Sequence, residues 1–275
     1  MRPIIDFHAH VLSKYSDWYE ETHALVRRYN PAFYAQLDFF LSPVGVLADM
    51  DRCGIARACM IGDQAPDTHG VIPNDFIIEF SRSSERFLPF VVVNPNAHSP
   101  AEGELERFVK AGARVYGVKL TPPYNFYEPA DPRLDRVYGM AQDLSIPALF
   151  HTGGSVFPNT QPKFGNPLLL EGVARKFPRL NIVMAHGGRP KWYAEADNLV
   201  LAHPNFYIDI SGLPPKNLLK YFPNIPRFPE KYVFGSDWPV VPDRKENIET
   251  LETLGFSDEA LDMILFGNAQ RLLGI

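Results

Sequence analysis

Three features of this 275-residue chain predict an α/β fold in which eight parallel strands close into a (β/α)8 barrel. Eight short runs rich in Val, Ile, Phe and Leu recur along it. Helical patterns lie between them, several with Pro in the first turn and Gly or Pro soon after the last. No linker or composition break divides the sequence, and ~250 residues is the usual size of one such barrel.

The strands are expected over residues 4–8, 57–62, 87–94, 116–120, 146–151, 181–186, 205–209 and 232–236. They are continuous apolar runs more than alternating ones, as parallel strands covered on both faces require. Helices are expected over 43–53, 74–85, 100–111, 132–144, 167–177, 190–203, 243–254 and 258–265. In the first of these Ser42 is an N-cap candidate and Gly54 follows the last turn. A doubly wound open sheet is the alternative. It calls for a Gly-rich phosphate loop after the first strand, where this chain has Asp6-Phe7-His8-Ala9-His10. Residues 13–42 interrupt the repeat, and aromatics such as Tyr15, Trp18, Phe33 and Phe40 crowd them. That composition predicts either an ordered cap over the barrel mouth or a helix pair packed outside. The whole of 1–275 reads as one domain with that insertion.

With 27 Lys+Arg against 32 Asp+Glu the net charge is −5, and no basic run appears, which argues against a sequence-independent nucleic-acid binder. Cys53 and Cys59 have neither metal spacing nor the pattern of a disulfide scaffold, so a reducing cytoplasm is expected. Only two apolar residues stand between Met1-Arg2-Pro3 and Asp6, unlike a signal peptide. No apolar stretch approaches the ~20 residues of a membrane span, so no membrane partner is expected.

In such a barrel the reactive groups gather at the carboxyl ends of the strands. Four of the eight histidines fall there: His8 and His10 on the first strand, His151 on the fifth and His186 on the sixth. Two residues apart in extended chain, His8 and His10 point to one side and can reach one ion. The eighth strand ends in Gly235-Ser236-Asp237-Trp238, which adds a carboxylate to the same rim. Neutral imidazoles with one carboxylate suit Zn²⁺ and related divalent ions. Alone, His-x-His fits a structural pair equally well; its coincidence with other strand-end ligands favours a metal. His23, His69, His98 and His203 lie in loops or helices, where surface or local structural roles are expected for most of them. Asn94 and Ser211 sit at other strand ends, where they can hydrogen-bond.

Six motifs carry a resemblance: IDFHAH at 5–10, GVKL at 117–120, FHTGG at 150–154, AHGG at 185–188, GSDWP at 235–239 and GNAQRLLGI at 267–275. In this order they resemble the amidohydrolase superfamily, in the branch that includes aminocarboxymuconate semialdehyde decarboxylase. The resemblance implies a distorted (β/α)8 TIM barrel holding one divalent ion, most often zinc, on His8, His10, His151 and Asp237. It implies that His186 contacts the metal's water and serves in acid/base catalysis, with Asp237 both ligand and proton carrier. Ion-coordinated water has a pKa near ~7, which makes such chemistry available at neutral pH. Lys119 matches the place of a carbamylated lysine that bridges two metals in binuclear members; its other role is an inward lysine paired with an acid or touching substrate. Arg189 is a candidate clamp for a substrate carboxylate. Tyr124, Tyr127 and Trp238 are candidates to stack on an unsaturated substrate.

Three reactions follow for a small-molecule substrate. The first is metal-dependent hydrolysis of an ester, lactone or amide of a small carboxylate-bearing molecule. The second is non-oxidative decarboxylation of an unsaturated or aromatic acid, and the third is hydration of a conjugated acid. One decarboxylase subgroup carries glutamate in place of the leading histidine; His8 sets this chain apart from it. A metal-binding barrel without catalysis is the non-enzymatic alternative. Homodimers are common in the branch, and one is compatible with this sequence.

Overall fold

A computed structural model describes residues 2–241 and 243–275. Eight parallel strands form one sheet in sequence order: β1 (Ile4–His10), β2 (Ile55–Ile61), β3 (Phe87–Val92), β4 (Gly117–Leu120), β5 (Ala148–His151), β6 (Ile182–Ala185), β7 (Phe206–Asp209) and β8 (Tyr232–Val233). The expected eight-stranded α/β barrel is therefore present. Its ring closes one step beyond β8. Phe7 N donates to Phe234 O at 2.9 Å, Asp237 N to His8 O at 2.8 Å and His10 N to Trp238 O at 2.7 Å. Only two residues of β8 pair with β7, because the chain at Phe234 crosses to β1.

Alternation along the strands builds two apolar layers. Ile5, Phe7, Ile61, Phe90, Leu149 and Val183 fill the barrel interior, capped from below by Leu272 and Leu273. Their neighbours, among them Met60, Val118, Phe150, Met184 and Ile208, pack under the helices. Gly117 lies inward where a Cβ would strike the Phe90 ring, so the interior has no room for a larger residue there. The β1 register slips by one residue between Asp6 and Ala9 relative to β2. This bulge breaks the alternation after inward Phe7 and turns His8 toward the mouth.

Helix Pro43–Cys53 begins as expected, with Ser42 Oγ accepting from Gly45 N at 3.1 Å, and ends at left-handed Gly54. Several other helices are shorter than their patterns, or begin as 3₁₀ turns, as at Pro132–Leu134 and Pro167–Leu170. Four elements escaped the sequence reading: a hairpin after β2, Asp63–Ala65 with Gly70–Ile72, the one-turn helices Pro122–Asn125 and Leu218–Tyr221, and a last helix, Asn268–Leu273, that follows a π-turn at Met263–Gly267. Residues 13–42 form the short helices Glu20–Tyr29, Pro31–Ala35 and Leu37–Phe40. Asn30 Nδ2 ties them to the carbonyls of Pro239 and Val241, both at 3.1 Å. Among the described residues no helix is long and apolar enough to cross a membrane.

A buried ionic cluster locks the β1–β8 seam from outside. Asp6 accepts from Ser236 N at 2.8 Å, Ser236 Oγ at 2.6 Å and Arg244 Nη1 at 3.2 Å. Arg244, wholly buried, also donates to Asp49 at 2.7 Å and lies over the Trp238 ring at 4.8 Å. Asp6→Asn should lower the unfolding free energy by about 3 kcal/mol, the low end for breaking a buried pair because Asp49 remains. Urea denaturation measures it, and a change under about 0.5 kcal/mol would mean the seam does not depend on this charge.

Candidate active site

Residues at or just after β1, β2, β4, β5, β6 and β8 line a mouth at the carboxyl ends, and the bulge in β1 delivers His8 to it. His8 Nδ1 donates to Asp209 Oδ2 at 2.7 Å, with Ser211 Oγ at 3.0 Å beside it. Its Nε2 lone pair is thereby left facing the mouth. Gly235 permits this contact, since a Cβ there would collide with the Asp209 carboxylate and His8. His8 Nε2 lies 3.2 Å from His10 Nε2, and each lies 3.7 Å from Asp237 Oδ1. An ion held tetrahedrally at ~2.1 Å needs donors roughly 3.4 Å apart, so these three atoms fit one divalent cation. His8 Nε2 accepts, so in the absence of an ion His10 Nε2–H can donate to it across that 3.2 Å.

The remaining expected residues fall around that triangle. His186 Nδ1 donates to the Ser211 carbonyl at 2.8 Å, which leaves its Nε2 as an acceptor. One donor atom each from His8, His186 and Asp237 lies within 4.8 Å of the others, so His186 belongs to the same cluster. His151 stands beside it, rings 4.7 Å apart, with its nitrogens near Tyr124 Oη at 3.1 Å and the Gly154 carbonyl at 3.3 Å. Of the expected ligands, His8, His10 and Asp237 converge directly, and His151 lines the same cavity. His186 and Asp237 both adopt left-handed backbone, φ 64° in each, a strain of about 1–3 kcal/mol that concentrates at functional turns.

Burial holds the imidazoles of His8, His151 and His186 well below their usual range, reinforced by the charges of Lys119 and Arg189. Neutral rings are what metal ligation and proton acceptance require. Burial also pushes the Asp237 carboxyl up and the Asp209 carboxyl up to about 6. Lys119 Nζ sits 3.0 Å from His8 Nε2, and burial brings its pKa down to about 8. Arg189 Nη1 donates to Gly212 O at 2.9 Å, and its Nη2 stands 3.9 Å from Asp237 Oδ2.

The cavity they enclose is narrow. Tyr124 lines it, as does Trp18 from the insertion, whereas Tyr127 is buried behind, accepting from Thr121 N at 3.1 Å. Trp238 is placed differently from its expected stacking role. Its ring packs between Phe33 and Phe40 of the insertion and the Arg244 guanidinium. His69, expected to be local or superficial, is a cavity wall: it pairs with Asp63 at 3.2 Å and meets Tyr124 edge-on at 4.7 Å. Asp63 also stands 3.7 Å from His10 Nδ1 and accepts from Trp18 Nε1 at 3.0 Å. Asp63, Asp209 and His69 escaped the sequence reading because their partners lie on distant strands; only the position of Asp209 at a strand end was a signal.

A family model described as amidohydrolase matches residues 5–275. An L-fucono-1,5-lactonase of Burkholderia ambifaria is 30% identical over 128 residues, which span 40% of this chain and 39% of that protein. A TIM-barrel protein of Bordetella bronchiseptica superposes with a TM-score of 0.82 at 22% identity, over 99% of this chain and 98% of the other. A manganese complex of 5-carboxyvanillate decarboxylase from Novosphingobium aromaticivorans gives 0.67 at 15% identity, over 100% and 96%.

Asp209→Asn keeps the shape but loses the charge that orients His8. It should weaken metal binding by about 10–100-fold, the usual effect of removing such a partner. Competition with a chromogenic chelator measures it, and unchanged affinity would show that His8 is oriented by other groups. Asp237→Ala and His151→Ala should each lower the metal content of the purified protein; full occupancy in either would remove that residue from the ligand set.

Proposed function

Because the chain belongs to the amidohydrolase family, and so is an enzyme of a metal-dependent superfamily, we propose that it is a hydrolase opening the ester bond of a small carboxylate-bearing lactone. The observation that carries this reading is the convergence of His8 Nε2, His10 Nε2 and Asp237 Oδ1 beside an imidazole, His186, whose free nitrogen is an acceptor. The partial likeness to a lactonase supports the substrate class.

His8, His10, His151 and Asp237 would hold one zinc ion. When bound, such an ion polarises a carbonyl and acidifies water. His186 Nε2 then accepts the proton of the attacking water, its Nδ1–H anchored on Ser211, and returns it to the leaving alkoxide oxygen. Asp237, its carboxyl raised by burial, shares that proton traffic. Arg189, between Gly212 and Asp237, presents a guanidinium to the substrate carboxylate. The Lys119 ammonium adds a second positive charge at the cavity floor. A binuclear arrangement would instead carbamylate Lys119, and two metal equivalents per chain would establish it.

The zinc-loaded protein is to be assayed on a panel of lactones and of aromatic and muconate-type acids. Ring opening of lactones without carbon dioxide release is expected. Carbon dioxide release without hydrolysis products would overturn the reading in favour of a carboxy-lyase. His186→Asn should retain near-full metal content while kcat falls by about 10²–10⁴-fold, the usual contribution of a general acid/base. Loss of metal in that variant would make His186 a ligand.

A further inference from the structure

A second cavity opens beyond the active site, and the two share Arg189, Asp237 and Val240 as a common wall. The outer one is an open groove, roomier than the inner cavity. Its apolar lining comes from Tyr29 of the insertion, Val156 after β5, Leu213 and Pro214 after β7, and Val241 after β8. The polar side chains Lys216, Glu246, Asn247 and Thr250 complete its lining. Val156 is 51% exposed and Tyr29 44%, so apolar surface stands in water directly outside a catalytic mouth.

Resting on the lactone-hydrolase reading above, we infer that this groove selects the substrate: a lactone whose ring bears an apolar substituent of several carbons. The inner cavity is narrow, and its ligands claim the reacting carbonyl and carboxylate. Whatever else the substrate carries must pass Arg189 and lie against Val156, Leu213, Pro214 and Val241. Each methylene placed against those side chains leaves water.

The test compares a carboxyl-bearing δ-valerolactone with its propyl- and hexyl-substituted forms on the zinc-loaded enzyme. It is paired with calorimetric titration of straight-chain carboxylates from butyrate to octanoate, which reads the groove without turnover. Both kcat/KM and affinity should rise, by up to about fourfold per methylene until the groove is filled. Val156→Asp, at an exposed position that folding tolerates, should weaken octanoate binding by about tenfold or more. Lactone hydrolysis that is flat along the series, or carboxylate affinities independent of length, would overturn the inference and leave the hydrolase reading standing. Length-dependent carboxylate binding with no lactone opened would uphold the groove and overturn the hydrolase reading. Unchanged octanoate affinity in Val156→Asp would also overturn the groove assignment.

Discussion

A single buried carboxylate, Asp6, joins the first and last strands of the barrel. It takes hydrogen bonds from the backbone and hydroxyl of Ser236 on one side and from His8 N at 3.2 Å on the other, and Arg244 balances its charge. The same few residues carry the chemistry: His8 is two positions after Asp6, and Asp237 directly follows Ser236. The bulge that turns His8 inward, the closing bonds to Phe234 and Trp238, and the meeting of His8, His10 and Asp237 are one arrangement. An error at the seam displaces two ligands together.

The electrostatics of the mouth follow from that closure. Burial keeps the imidazoles neutral, and the outward nitrogens of His8 and His186 are committed to Asp209 and Ser211. Their inward nitrogens are therefore acceptors with fixed aim. The left-handed turns at His186 and Asp237 store strain where the side chains must hold their positions, which the surrounding bonds tolerate.

Strand count, strand order and the rim histidines were legible because parallel strands announce themselves as apolar runs and reactive groups collect at one end of them. His8, His10, His186 and Asp237 could be read from position alone. The pairings that aim them could not, since Asp209 with His8 and Asp63 with His10 and His69 join strands or loops remote in sequence. His69 looked superficial because the hairpin presenting it has only three residues in each strand, too few for a pattern. Trp238 looked like a stacking platform from its place beside a ligand. The insertion decides otherwise, covering its ring with Phe33 and Phe40.

The central claim is that seam closure assembles the donors of one ion. Anomalous diffraction at the zinc absorption edge, from crystals of the zinc-loaded protein, tests it most directly. The account predicts one peak per chain, within bonding distance of His8 Nε2, His10 Nε2 and Asp237 Oδ1, with His8 Nδ1 still on Asp209. Two peaks bridged at Lys119, or a peak that leaves His10 and Asp237 uncoordinated, would contradict it.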